Sequence, residues 1–429
     1  MRRQIAGLMP KGQVAHGIVA LTGGTVIAQA ITACTTPLVT RLYTPAQIGV
    51  ISLFLAFFGF WTSLLSWRYE SALLVAREDE ESHQVFRLGM LCVAATSLLA
   101  WPVLRTLCAR QIFGFGLLPA WSAWVSVPIL LGYGTFMMLR SWGLRGGLVK
   151  HIARASISRS GCNASARIIL GLLGGGIPAL FAAELLGAWG GGGALYRAVR
   201  QRFPGKLAAS GWRDLQSVMI RYSKFAKYEL PSVAINQVAL AIPVPMLASL
   251  YGPVAAGSFG MARLLVAIPN AQIGRAVGDT FQMELARAVR EREYANAQRL
   301  FYRLLRSLSL FGLFPLIGIM VLGRLLVPYV FGKSWTEMGL LAVCIAPWMY
   351  VALVVSPLSN LLSVLQVQQY KLIYDVTTTT LMIAIYFLAR VYSLGVLATV
   401  LGLSAVNVAA YSVYLSVLVF VVRNKLGRQ

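Results

Sequence analysis

The chain has 429 residues, 58% of them hydrophobic and only 12% charged, with a mean hydropathy of +0.70 and a formal net charge of +24. A water-soluble domain carries roughly 25% charged residues, so the composition excludes an ordinary soluble protein. The positive charge falls in alternate connections between apolar runs, which argues against a nucleic-acid-binding surface and matches the bias of cytoplasmic membrane loops.

Apolar runs of about 20 residues, long enough to cross a bilayer core, recur along the whole chain. Twelve spans are expected, over residues 17–40, 46–66, 88–107, 117–139, 155–174, 176–196, 228–250, 254–275, 304–323, 338–362, 370–389 and 396–421. The first follows Lys11, has no small-residue cleavage site, and reads as a retained span rather than a signal peptide. Along it, Thr22, Thr25, Gln29, Thr32, Thr36 and Thr40 recur at steps of three and four, one face of a helix. That spacing predicts a face lining water; the alternative is hydroxyls bonded back to their own helix. Arg41 ends the span, as a headgroup anchor or a contact for cargo.

Span two ends in WRYE, with Arg68 and Glu70, ahead of the acidic run Glu78–Glu81. Span five is unusually polar. Ser156, Ser160, Asn163 and Arg167 share one helical face, expected to turn toward water inside the protein. Span six carries Glu184. Span eight carries Arg263 near its middle, Asn270 on the same side and Arg275 at its end. An arginine buried in a membrane is costly and marks a candidate site. The structural alternative for Arg263 is an ion pair with Glu184 or with Asp375 of span eleven. Ser356, Asn360 and Ser363 in span ten, and Ser404, Asn407, Tyr411 and Tyr414 in span twelve, add further polar faces. Together these faces predict a central hydrated cavity between two helical bundles. Prolines at 231, 243, 245, 269, 347 and 357 predict bent helices.

Basic residues fill the N-terminus, the connections after spans two, four, six and eight, and the C-terminus, so both termini are expected in the cytoplasm. One phrase occurs twice. PLVTRLYTPAQIG begins at Pro37 and PMLASLYGPVAAG at Pro245, with Pro, Leu-Tyr, Pro and Gly at the same offsets. Each joins the first two spans of one half. Six spans per half is an even number, so the repeat is parallel, about an axis along the membrane normal. Residues 1–205 and 206–429 are the expected bundles, and the second phrase has Ser249 where the first has Arg41. The five cysteines read as packing residues, and no spacing of His, Cys or carboxylates suits a metal. No cofactor, metal or catalytic motif is expected, hence no enzyme.

TGGTVIAQAITACTTPLVTRLYTPAQIG, LLSWRYESALLV and YELPSVAINQVALAIPVPMLASLYGPVAAGSFGMARLLVAIP resemble the bacterial polysaccharide flippases of the multidrug/oligosaccharidyl-lipid/polysaccharide exporter superfamily. The resemblance implies an all-α fold of two six-helix bundles. It implies flipping of undecaprenyl-diphosphate-linked sugar repeat units from the cytoplasmic to the periplasmic leaflet of a bacterial inner membrane. It also makes Arg68 and Glu70 functional candidates. On this reading Arg263, Arg41, Arg167, Arg275, Arg68, Gln29 and Asn270 contact substrate, and Glu184, Asp375 and Glu70 are candidates for ion coupling. The lipid-linked oligosaccharide, the bilayer and the polysaccharide polymerase machinery are the expected partners. The runner-up is a drug or cation exporter of the same superfamily, which the positive sign of Arg263 disfavours. A membrane polymerase needs a large periplasmic domain, and the outer connections here are short.

The orientation is testable by cysteine accessibility in intact cells. Arg290→Cys is expected to resist an impermeant thiol reagent and Thr44→Cys to react. Labelling of Arg290→Cys without permeabilisation contradicts the topology.

Overall fold

A computed structural model describes residues 11–76, 78–204, 211–365, 367 and 369–426, the side chains of 11–22, 213, 228, 232, 267–276 and 279 excepted. Among them every regular element is helical. The order is α1 (Lys11–Leu42), α2 (Pro45–Leu64), α3 (Tyr69–Val75), α4 (Asp79–Ala109), α5 (Ser122–Arg145), α6 (Val149–Leu172), α7 (Gly176–Trp189), α8 (Gly192–Arg202) and α9 (Trp212–Arg221). A π-helical turn over Phe225–Glu229 leads into α10 (Leu230–Ala241) and α11 (Pro243–Arg290). Then come α12 (Tyr294–Phe331), α13 (Thr336–Leu358), α14 (Asn360–Val364), α15 (Gln369–Val391) and α16 (Val396–Leu426).

The chain is an all-α, polytopic membrane protein. Each of the twelve expected spans falls on helix. Among the described residues, eight stretches are long and apolar enough to cross a membrane by length and composition alone. Span six is shorter than expected: α7 stops at Trp189, and α8 restarts as a separate amphipathic helix after a glycine in the left-handed region.

The chain divides into two compact units, Met1–Gln237 and Val238–Gln429. The expected boundary at 205/206 lies outside the described residues. In the first unit α1 packs along α6, α6 against α7, α4 against α5, and α9 against α4. Its core holds Phe54 against Phe181 (4.7 Å) and Trp142 against Phe86 (4.4 Å), all but Phe86 nearly inaccessible. At Gly24 an added Cβ would lie 2.5 Å from the Ala153 Cβ and 2.8 Å from its Cα, so α1 and α6 meet only because this position is glycine. In the second unit α13 packs against α11, α12 and α16. Phe281, Leu285, Phe301, Leu358, Leu418 and Val422 make one buried cluster there. Along α12, Leu310, Phe314, Ile317, Val321 and Leu325 form an exposed apolar stripe. An outward-facing stripe of that kind suits lipid rather than water.

The repeated phrase does the same mechanical work in each unit. Tyr43 donates its hydroxyl to the Arg167 carbonyl (2.8 Å), and Tyr251 donates to the Leu394 carbonyl (2.6 Å). Both Pro45 and Pro253 follow a break in the backbone, where a missing N–H costs nothing. The breaks differ in kind. At Thr44 a capping box with Gln47 starts α2. At Gly252 φ is 81° and ψ is −173°, a combination open essentially to glycine alone.

Gly252→Ala is therefore expected to lower unfolding stability by about 1–3 kcal/mol. Gly395→Ala, with open space around its Cβ, is expected to change it by less than about 0.5 kcal/mol. Denaturant titration of the purified protein in detergent distinguishes them, and equal effects contradict the strained break.

Candidate functional site

In the first unit, the polar stripe of α1 is largely spent on its own backbone. Thr32 donates to the Ala28 carbonyl (3.2 Å), Thr36 to that of Thr32 (2.6 Å) and Thr40 to that of Pro37 (2.9 Å). Gln29 differs, because its side-chain carbonyl oxygen is buried without a hydrogen-bond donor. Arg41 is exposed in the last turn of α1, where a cation complements the helix C-terminus.

The polar face of α6 meets α7. Arg167 and Asn163 both donate to the Glu184 carboxylate, Asn163 at 3.2 Å, and Asn163 also donates to the Ala183 carbonyl (3.1 Å). One turn away, Arg159 donates to the Gly187 carbonyl (3.2 Å), and its guanidinium lies 4.8 Å from the Tyr133 ring centroid and 4.1 Å from that of Phe136. Aromatic faces attract a desolvated guanidinium by about 2 kcal/mol. Asn163 and Arg167, two of the four residues expected to face internal water, thus meet Glu184 of α7. Arg167 keeps one buried N–H, at Nε, without an acceptor.

The turn between α2 and α3 holds the densest ionic cluster. Trp67 and Arg68 both have positive φ, 51° and 66°. Arg68 donates to Glu70 (2.8 Å) and, through two nitrogens, to both carboxylate oxygens of Glu229 (3.2 and 3.1 Å). Ser66 donates to the other Glu70 oxygen, and Trp67 Nε1 donates to the Thr96 hydroxyl (3.1 Å). Burial lowers the Arg68 pKa, but the Glu229 hydrogen bonds and the charges of Glu70 and Glu229 outweigh it and hold it above its ordinary value. Arg68, Glu70 and Glu229 thus form a three-membered clamp from the α2–α3 turn to the π-helical turn before α10. Sequence reasoning missed Glu229. The available signal was an acid at the edge of a basic connection.

In the second unit, Arg263 donates to the Leu240 carbonyl. Pro243 and Pro245 supply no N–H to the carbonyls of Ala239 and Ala241, so that turn is short of donors and the guanidinium adds one. Arg263 also lies near Tyr411. Tyr374 stacks on Tyr414 (4.5 Å) and lies 5.2 Å from Tyr411. Asp375, beside Tyr374, is buried and acts electrostatically on Tyr374 and Tyr414. Arg263 and Asp375 thus share one aromatic neighbourhood. Asn360 donates to the Gly278 carbonyl (3.1 Å) and Asn407 to that of Leu403 (2.8 Å). The side chains of Asn270 and Arg275 lie outside the described residues. Among the described residues no group of His, Cys, Asp and Glu is placed to hold a metal.

The sequence matches the family described as polysaccharide biosynthesis protein over residues 38–340. No curated protein matches it. Among solved structures, an inward-facing multidrug resistance MATE family transporter of the MOP superfamily has a TM-score of 0.71 at 15% identity, over 96% of this chain and 99% of that one. The lipid II flippase MurJ, in an inward closed conformation, has 0.71 at 12%, over 95% and 88%. The Vibrio cholerae MATE transporter VcmN has 0.61 at 13%, over 97% and 98%. At such identities the likeness establishes the fold, shared with these transporters and with this flippase.

The clamp predicts an order of stabilities. The Glu70 side chain is 10% exposed and that of Glu229 41%. Glu70→Ala leaves the buried Ser66 hydroxyl without its acceptor and takes one of two carboxylates from Arg68, so it is expected to cost about 2 kcal/mol. Glu229→Ala, at a solvated edge, is expected to cost about 1 kcal/mol or less. Thermal unfolding in detergent reads the order, and a larger loss for Glu229→Ala contradicts it.

Proposed function

The chain belongs to the polysaccharide biosynthesis protein family, and from that premise we propose that it is a flippase for undecaprenyl-diphosphate-linked oligosaccharide. It serves assembly of a surface polysaccharide such as O-antigen, capsule or exopolysaccharide. It moves the cargo from the cytoplasmic to the periplasmic leaflet of a bacterial inner membrane by alternating access, with both termini in the cytoplasm. It carries cargo and catalyses no bond chemistry. The family match over residues 38–340 is the observation that carries this reading. The fold it shares with a multidrug transporter and with a lipid II flippase supports it.

The cargo's diphosphate brings about two negative charges, and a guanidinium fork fits phosphate oxygens. Arg263 is the residue we assign to it. The Leu240 bond occupies one of the five N–H donors of the guanidinium, which leaves donors for a ligand. Arg41, exposed at the end of α1, is a second contact, and Gln29, Asn270 and Arg275 are further ones. Arg167 is held by Glu184 and Arg68 by Glu70 and Glu229, so these two serve the scaffold before the cargo. Moving two negative charges outward against a negative interior is favourable by on the order of 4 kcal/mol per 100 mV. Resetting the emptied, cationic transporter is the step that calls for a coupling ion, with Asp375, Glu184 and Glu70 as its candidates.

Surface polysaccharide made by a flippase-null strain tests the assignment, with membrane abundance measured in parallel. Arg263→Ala is expected to abolish polysaccharide at normal abundance. Arg263→Lys is expected to retain part of it, because a point charge lacks the planar fork. Full polysaccharide from a normally abundant Arg263→Ala protein contradicts the role.

A further inference from the structure

The short helix α9 has two apolar faces. Leu215, Val218 and Tyr222 are buried, and the helix packs on α4. At 100° per residue these three fall on one arc. Trp212, Met219 and Ile220 fall on the adjoining arc, with the exposed Gln216 among them, and are 77%, 43% and 65% exposed. Asp214, Ser217, Arg221 and Lys224 hold the opposite side. The α4 contact therefore covers only half of a wide apolar surface, and the other half is left bare beside it.

Depth and charge identify what covers the bare half. Arg221 donates to Glu81 at 2.5 Å, which sets the end of α9 beside the first turn of α4. The apolar body of α4 begins at Leu88, about 10 Å further along at 1.5 Å per residue. The helix thus lies at the level where α4 passes from its charged start toward its apolar body. Between Gly192 and Glu229 the sequence carries eight lysines and arginines against two acids, Asp214 and Glu229. Asp214 caps α9 by accepting from the Gly211 N–H (2.9 Å), and Glu229 is engaged by Arg68. Arg197, Arg202, Lys224 and Lys227 are exposed. An apolar strip headed by tryptophan and followed by the exposed Lys224 and Lys227 is complementary to an anionic lipid surface.

We propose that α9 lies in the membrane surface, with Trp212, Met219 and Ile220 inserted at the headgroup–acyl boundary and the surrounding cations on anionic phospholipid headgroups. Tryptophan favours that boundary, and Met219 and Ile220 supply apolar area below it. The Arg221–Glu81 pair and the buried face of α9 keep the helix on the first unit while its outer face grips the leaflet. The start of α10 is then pinned close to one membrane surface.

The test uses the full chain in lipid nanodiscs made with and without phosphatidylglycerol. Nitroxide labels are placed singly at Met219→Cys, Ile220→Cys, Ser217→Cys and Lys224→Cys, in a background whose five native cysteines are alanine. If that background does not elute as a single folded species, the same positions are labelled through an encoded non-natural residue. Accessibility to molecular oxygen and to a water-soluble nickel chelate is read by spin relaxation. The proposal expects an oxygen-to-nickel ratio several-fold higher at 219 and 220 than at 217 and 224, falling at 219 and 220 when phosphatidylglycerol is omitted. Equal ratios at all four positions overturn it. Shielding of 219 and 220 from both reagents also overturns it, because a protein partner then covers the strip. A lipid-independent ratio overturns the headgroup contact.

Discussion

A bilayer core offers no hydrogen bonds, so every polar group that enters it must be satisfied within the protein. That constraint sets the whole architecture. It makes the described residues helical throughout, and it explains where the polar side chains point. Thr32, Thr36 and Thr40 of α1 bond to their own helix. Arg159 caps the Gly187 carbonyl, where α7 is about to end, and Arg263 reaches the Leu240 carbonyl beside two prolines. In both cases a cation stands where the regular backbone ladder fails. The Gly187 carbonyl also accepts from the Gly190 N–H, and the guanidinium, with donors to spare, adds a second bond there.

The same constraint explains the repeated phrase. Each unit must turn its first long helix back into the membrane. Each does so with a Leu-Tyr end, a tyrosine strut to a distant carbonyl, and a proline that begins the next helix. The strut is common to both units, but the charge beside it is not. Arg41 stands in the first copy and Ser249, bonded to the Met246 carbonyl, in the second. The mechanical parts are duplicated, while the charge beside them is placed once.

The fold was legible because hydropathy and loop charge are local signals, readable from any twenty-residue window. The resemblance to polysaccharide flippases holds for the same reason, since its motifs lie at helix ends that the repeat requires. The ionic partners were less legible. Glu229 stands 161 residues from Arg68, and nothing in either local sequence names the other. Glu184 invited pairing with any membrane arginine. The structure gives it Arg167 and Asn163, whose helix follows a three-to-four spacing that was read but assigned to water. Periodicity shows that residues share a face, and only packing shows what that face meets. The hydroxyls of α1 teach the same lesson, because one helical stripe serves equally a wet face and a self-bonded one.

The central claim is that this chain moves an anionic, lipid-linked sugar across a membrane. Purified protein in proteoliposomes, supplied with fluorescent undecaprenyl-diphosphate oligosaccharide, measures this directly by the fraction of label that a membrane-impermeant quencher reaches over time. The account predicts protein-dependent exchange of label between leaflets that slows when Arg263 is replaced by alanine. No exchange above protein-free liposomes, together with uptake of a cationic dye by the same vesicles, would contradict it.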